Sequence, residues 1–428
     1  MTTTPADAHG ANSGSVVPIT AGLLIALAVQ NAVPPFATDM YSPAFPQVTA
    51  DLDTTAALVG MTLTTFFLGF GAGQLVGGPI SDQRGRRGPM LVGGVICTLG
   101  GIACALAPNI WLLVATRLLQ GIGGGVASVS ARAVLIDVAK GDALARWMSV
   151  MVAIGGIAPM VAPVLGAGVL MVGDWRTVFW VLAGFGVVML LSAFAFVPET
   201  LPPEQRHSGG LRQSVRGIVE VVRIRPYLGF MLTQALGMFA MLAYIAASSF
   251  VLQEMKGLTA MQFALFFGGN ALLQVLLSLL NARMIGRFRP ERLMLAGMVA
   301  TAVAVAVLAV GVFGLGTPLL LTCVGFVMLV GAQAFITGNA GALAVRNALH
   351  LAGAASAVQG VATALAMGLG APLASAGGGT SAVPMVLVML FGVFASWICY
   401  LTLARPSLRA QGSTEGGPSE EPSPGGPS

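Results

Sequence analysis

Charge is the scarcest property of this sequence. Only 9% of its 428 residues are Asp, Glu, Lys or Arg, against about 25% in a soluble domain. So few charges cannot clothe a water-facing surface, which excludes a soluble enzyme, a nucleic-acid-binding module and a disordered protein. Histidine is almost missing: His9, His207 and His350 stand far apart. A membrane-embedded acyl- or glycosyltransferase would need a clustered His/Asp/Glu site, and none is written here. The four cysteines, Cys97, Cys104, Cys323 and Cys399, all fall inside apolar stretches. No pair sits in an aqueous loop, and no CxxC or Cys/His spacing points to a metal, so a secreted disulfide scaffold is excluded too. There is no GxxxxGK[ST] phosphate loop. No metal or other cofactor is expected, and any work the protein does must draw on a gradient rather than on nucleotide hydrolysis.

What is plentiful is apolar. Hydrophobic residues make up 56% of the chain and the mean hydropathy is +0.86. Runs of about twenty apolar residues recur throughout, each long enough to cross a hydrocarbon core of about 30 Å as helix. Gly 57 and Pro 24 are high counts for soluble helices, but membrane helices tolerate both. Bounded by charges, Pro or Gly, the runs predict helices over 18–42, 56–80, 89–107, 111–137, 144–172 and 176–197, then 226–252, 260–284, 291–314, 317–345, 351–376 and 382–404. The fold class is therefore an all-α polytopic membrane protein of twelve helices, arranged as two six-helix halves, 18–197 and 226–404. A polar N-terminal tail (1–17) precedes them. It has no basic n-region and does not read as a cleaved signal peptide. A basic linker (198–225) joins the halves, and a Ser/Gly/Pro/Glu-rich tail (405–428) reads as disordered. Two halves about a basic loop suggest bodies that move against each other.

Lys and Arg set the orientation. With the N-terminus inside, the cytoplasmic face receives Arg84, Arg86, Arg87, Lys140, Arg146, Arg206, Arg212, Arg216, Arg223, Arg225, Arg283, Arg287, Arg289, Arg292, Arg346, Arg405 and Arg409. The outer loops receive Arg176 and Lys256. Both termini are thus expected in the cytoplasm of a cell whose plasma membrane the chain spans. The halves also read as a degenerate repeat: aligning Gly85 with Gly286 pairs Arg86 with Arg287 and replaces Asp82 by Arg283.

Asp39 stands out because it is an acid within an apolar run and away from its cytoplasmic end. A charged acid at the centre of a span is unfavourable by roughly 2.5–3.5 kcal/mol on insertion scales. It therefore takes a proton when dry and gives it up to water or to an incoming positive charge, which makes a proton-exchange site. Pro34 and Pro35 should kink the helix just before it. Arg117 lies six residues into the fourth run, about 9 Å below the outer surface, a depth compatible with Asp39. Arg132 lies near the inner surface, where a long side chain can reach headgroups. The second half carries few membrane charges; its polar groups are mainly Gln234, Asn270, Gln274, Gln333, Asn339 and Gln359, with Tyr244 and several Phe among them. Such a lining suits an uncharged or amphiphilic ligand, whereas each hydroxyl of a sugar would want its own partner.

Several segments resemble the major facilitator superfamily, and more narrowly its twelve-helix drug:proton antiporters. Gly78-x-x-x-Asp82-x-x-Gly85-Arg86-Arg87 is similar to the family's loop between helices two and three. Arg117-Leu-Leu-Gln120-Gly121-Ile-Gly123-Gly124 is similar to its fourth-helix motif. Gly155-Gly156-Ile-Ala-Pro159-Met-Val-Ala-Pro163-Val-Leu-Gly166 resembles its fifth-helix antiporter motif. Asp39-Met-Tyr41-x-Pro43-Ala-Phe-Pro46 and Trp175-Arg176-x-x-Phe179 resemble the bicyclomycin/chloramphenicol-resistance branch. The resemblance implies proton coupling by Asp39 and Arg117. It implies a gating charge network of Asp82, Arg86 and Arg87 with Asp137, loosened on reorientation, and a seal against proton leak on helix five. It further implies a monomer in a bacterial plasma membrane that exports a small drug in exchange for protons. Asn31, Tyr41, Gln120, Gln234, Tyr244, Asn270, Gln333 and Asn339 are the expected substrate contacts. An exporter of a sugar, nucleoside or amino acid on the same fold is the alternative, and a non-transporting sensor should lack the titrating acid.

Overall fold

The computed structural model describes residues 19–139, 141–206, 219–348 and 351–405; for 141–146, 148–155, 205, 352–354, 356 and 357 it describes the backbone alone. The two tails, Lys140, the three histidines, Arg212, Arg216 and Arg409 lie outside the described residues. The side-chain surroundings of Arg146 and Gly155 do too. Among the described residues there is no β-strand, only an isolated bridge between Ile285 and Phe288.

The first span is broken into α1 (Ala21–Asn31) and α2 (Val33–Asp39), followed by a 3₁₀ turn, Ser42–Ala44, and α3 (Phe45–Asp51). Pro34 and Pro35 have no N–H, so the carbonyls of Gln30 and Asn31 lose their usual donors. The axis bends there by 43°. Five long helices complete the first half: α4 (Ala56–Arg84), α5 (Arg87–Ala105), α6 (Ile110–Val138), α7 (Gly141–Leu170) and α8 (Trp175–Phe196). The second half holds α9 (Arg225–Ser249), α10 (Ala260–Met284), α11 (Pro290–Gly314), α12 (Leu319–Arg346), α13 (Ala352–Ser375) and α14 (Val383–Cys399). Among the described residues ten helices are long and apolar enough to span a membrane, and the bent first pair makes an eleventh. The expected fifth span is α7, in which Gly156–Leu170 forms a shorter apolar helix.

Several helix starts carry recognisable local signals. Toward the expected outer face, side chains satisfy the orphan N–H groups that open a helix. Thr55 accepts from Leu58 N at 3.3 Å, Asn109 from Leu112 N at 2.9 Å, Asp174 from Thr177 N at 2.9 Å and Thr259 from Gln262 N at 3.2 Å. At the opposite end α9 and α11 begin with a proline in the first turn, where its missing N–H costs nothing.

Large apolar side chains face outward along the bundle, among them Leu99, Trp111, Leu320, Phe391 and Phe394, each more than half exposed. In water such a belt would be a docking or aggregation surface; around a membrane bundle it meets lipid. The buried core has a forked shape. One cluster at the end away from the basic loops draws on both halves, joining Tyr41, Phe45, Phe66 and Phe179 to Phe250, Phe263 and Phe326. At the basic end it divides: Leu27, Met90, Val134 and Leu135 belong to a first-half cluster, and Tyr227, Phe230, Met294 and Met298 to a second-half one. The halves touch along α4 with α13 and along α7 with α10. The Thr64 hydroxyl donates to the Gly368 carbonyl, and Gly268 packs on the backbone of Met160.

Gly85 and Gly286 sit at φ +96° and +100°, a region that strains any residue with a β-carbon. The pairing of these two loops in the sequence is thus matched by the same backbone turn.

Candidate functional site

Between the halves lies a cavity of about 600 Å³. Helices α4, α9, α10 and α13 each contribute a stripe at helical spacing, and α6 and α7 contribute single residues. From the first half come Thr38 and Asp39 on α2, Phe67, Phe70 and Gln74 on α4, Arg132 on α6 and Pro159 on α7. Across from them α9 presents Gln234, Met238, Met241 and Tyr244. Phe267, Asn270 and Gln274 line it from α10, and Gln359, Thr363 and Met367 from α13.

Asp39 is buried at 5% exposure and is the one acid among the described lining residues. The Thr38 hydroxyl stands 2.9 Å from its carboxylate and 2.8 Å from the Pro34 carbonyl. Its backbone carbonyl accepts from Ser42 at 3.0 Å, tying the end of α2 to the turn that follows. The bend at the paired prolines, held on its far side by these two hydroxyl bonds, accompanies the placement of the carboxyl on the cavity wall. Among the described residues no ion pair forms on it.

Arg117 is fully buried and does not line the cavity. Its guanidinium lies over the rings of Phe66, Tyr41 and Phe179, with centroids at 4.5, 5.4 and 5.7 Å. It donates to Gln120 Oε1 at 2.7 Å and to the Thr62 carbonyl at 3.4 Å, leaving one terminal nitrogen without a partner. Compatible depth suggested that Arg117 faces Asp39; in this conformation three aromatic rings hold it instead, in an arrangement where the faces of the rings attract a desolvated cation.

Of the eight expected substrate contacts, Gln234, Tyr244 and Asn270 line the cavity. Asn270 donates to the Tyr244 hydroxyl at 3.0 Å, Tyr244 stacks on Phe267 at 5.1 Å, and Gln359 donates to Gln234. The other five stand behind the wall. Tyr41 and Gln120 belong to the box around Arg117. Gln333 donates to the Gly237 carbonyl at 3.1 Å and Asn339 to Asn281 at 2.9 Å, both tying helices together. Asn31 accepts from Ser128 at 3.2 Å and Arg132 at 3.3 Å. Among the residues missed, Met238 and Met241 continue the helical repeat of Gln234 and Tyr244 on α9, so a three-to-four spacing from those polar residues was an available signal. Phe67, Phe70 and Gln74 lie on α4, where no expected contact marked the face.

At the basic end Arg86 gathers the loop residues. It pairs with Asp82, lies 2.9 Å from Asp137 and donates to Ser81 at 3.2 Å. Thr200 donates to the same Asp137 oxygen at 2.9 Å. Glu199 accepts from Arg86 N at 2.8 Å and Arg87 N at 3.3 Å, capping α5 and closing against Gly85 so tightly that a β-carbon there would strike its carboxylate. Arg87 turns away, donating to the Phe194 carbonyl at 2.8 Å. Glu199 carried no signal in the sequence, since an acid after an apolar run looks like ordinary loop. The partners of Arg86, namely Ser81, Asp82 and Asp137 of the first half and Glu199 just beyond it, include none from the second half, so the network is complete while the core is divided at that end.

On α7, Pro159 lines the cavity and Gly156 packs near Val275 of α10. Gly166 lies under the Met40 carbonyl, one residue past Asp39, and a β-carbon there would overlap that oxygen. The motif thus touches both the first span and the opposite half. Pro163 lies within the helix beside it.

Comparison with known proteins fits this architecture. A sequence profile of the Major Facilitator Superfamily matches residues 27–371. The chain is 35% identical over 276 residues to the uncharacterized MFS-type transporter YdgK of Bacillus subtilis, covering 64% of this chain and 69% of that one. It is 29% identical over 327 residues to a bicyclomycin resistance protein homolog of Haemophilus influenzae, covering 75% and 81%. To the multidrug resistance protein MdtL of Escherichia coli it is 28% identical over 298 residues, covering 68% and 74%. Among solved structures, a bacterial homolog of the human lysosomal transporter Spinster superposes with a TM-score of 0.73 at 15% identity, covering 90% of this chain and 97% of that one. The xylose transporter XylE of E. coli gives 0.70 at 16%, covering 89% and 97%. With a profile matched across most of its length and a bundle of the same fold, the chain belongs to the major facilitator superfamily and is a multi-pass membrane transporter.

Proposed function

We propose that the protein is a proton-coupled antiporter that exports small lipophilic drugs by alternating access. The forked core carries this reading. A bundle joined at one end and divided at the other, with a cavity between, is one of the two states that alternating access requires. The halves 18–197 and 226–404 are then the moving bodies, 198–225 is their tether, and both termini face the cytoplasm. Apolar walls of Phe and Met with a few amides suit an amphiphilic cargo, and the names of the Haemophilus and Escherichia relatives point to drugs rather than to a metabolite.

In this mechanism Asp39 is protonated while the cavity is dry and cedes its proton on opening to water or on cargo binding. Cargo and proton compete for one cavity, so proton influx drives cargo out. The Met40–Gly166 contact next to Asp39 lets helix α7 follow the state of that carboxyl. Each proton crossing 100 mV supplies about 2.3 kcal/mol, and each pH unit about 1.4 kcal/mol, which together sustain between two and three decades of gradient, roughly, per proton. The test is a growth-inhibition panel of antibiotics, bicyclomycin and chloramphenicol included, in a pump-deleted bacterial host. Resistance to at least one compound, lost with a protonophore, is expected. A panel with no change against the empty vector overturns the reading.

A further inference from the structure

We propose that Arg132 anchors an acidic group on the transported compound, so that the cavity selects lipophilic organic acids; this rests on the reading of the cavity as the cargo site. From its place near the end of the fourth run, Arg132 could have reached the headgroups. The structure instead puts it on the cavity wall, about 9 Å along α6 from its last residue, with its side chain exposed to that space. It donates from Nε to Asn31 Oδ1 at 3.3 Å. That uses one of five guanidinium donors on a neutral acceptor.

Among the described residues no carboxylate pairs with it. The one acid on the wall, Asp39, stands eight residues beyond Asn31 on the first span, about 12 Å along the helix. A cation at membrane depth calls for a partner or water, and here the residue borders the cargo space. Guanidinium matches a carboxylate bidentately. Phe70 and Phe67 line the same half of the wall, and Met238 and Met241 lie across from it, so an apolar body can sit against the rings and sulfurs while its acid meets Arg132.

The same bond to Asn31, with Ser128 on the shared oxygen, also ties α6 to α1, and a purely positioning role has to be separated. Purified full-length protein in detergent is titrated with dansylglycine, a fluorescent lipophilic carboxylate, and with dansylglycinamide, its neutral counterpart. The wild type should favour the acid by roughly tenfold, the range expected for a hydrogen bond to a charged group. Arg132→Gln retains a donor for Asn31 and removes the charge, and the ratio should fall to near one; Arg132→Lys should keep part of it. A wild type that binds the two probes equally, or not at all, overturns the assignment without any variant. So does an unchanged ratio in Arg132→Gln, and equal weakening of both probes in Arg132→Lys returns the residue to helix positioning. The growth panel reads neutral antibiotics in cells, so either result can fail while the other stands.

Discussion

Asp39 was legible because one carboxyl in an apolar run is conspicuous, and because two prolines before it announce a bend. Its consequence is testable at a single atom. Asp39→Asn keeps the shape and a hydrogen-bonding partner for Thr38 but cannot exchange a proton. Addition of a transported drug to wild-type protein in weakly buffered detergent near neutral pH should release a proton, and the variant should release none; uphill efflux should be abolished while binding of a neutral drug survives. Robust efflux by the variant would put the coupling carboxyl elsewhere. Arg117 shows the limit of such reasoning. Its depth was readable from residue counting, but its neighbours are set by how α4, α8 and the turn after α2 come together. Phe66, Phe179 and Tyr41 come from those three segments, and no local pattern says that they converge.

Element boundaries followed the apolar runs within a few residues, since the bilayer fixes span length more firmly than any propensity does. The break in the first span is finer than hydropathy resolves: α3 and the turn before it extend the expected run beyond residue 42, because Pro43 and Pro46 divide the chain without making it polar. The spacing of small residues on α7 was readable, and its neighbour was not. A Leu at Gly166 would drive into the Met40 carbonyl, and overpacking of this kind costs about 1–3 kcal/mol. Gly166→Leu should insert in the membrane and lose exchange, measured as counterflow in vesicles; wild-type counterflow would make α7 lipid-facing at that point.

The cap of α8 gives a pH-dependent counterpart in the loop before it. Hydrogen bonds from the backbone N–H and hydroxyl of Thr177, both 2.9 Å from Asp174 Oδ1, hold that carboxyl below the usual aspartate range. Its lowered folded pKa means that the stabilisation is present above the unfolded value, about 3.9, and fades as pH falls through the folded one. Asp174→Ala should lower stability by about 0.5–1 kcal/mol, discounted for exposure, at neutral pH, and by progressively less at an acid pH below the unfolded value of about 3.9. Thermal unfolding in detergent at the two pH values checks it; an equal loss at both would deny the cap its charge.

For the whole molecule the number and order of helices were written in the sequence, and so was the pairing of Gly85 with Gly286. The fork of the core was not, because which residues from the two halves meet depends on the state of the bundle rather than on composition. Orientation rests on charge alone, and the arginines of the linker set its test. In a chain cleared of its own cysteines, a cysteine at Ser208 should resist an impermeant thiol reagent in intact cells and react in broken ones. Labelling from outside would invert every depth used above.

The shared aromatic cluster at the outer end has a bearing on the cell at rest. Tyr41, Phe45 and Phe250 close the two halves on each other there, and Gln253 donates across them to the Pro43 carbonyl at 3.2 Å. On the proposed antiport reading this closure makes the resting protein an insulator, so that many copies can sit in a membrane without discharging it. Vesicles containing the protein and no drug should therefore hold an imposed pH gradient as long as protein-free vesicles do, and lose it when drug is supplied on the side toward which the cavity opens.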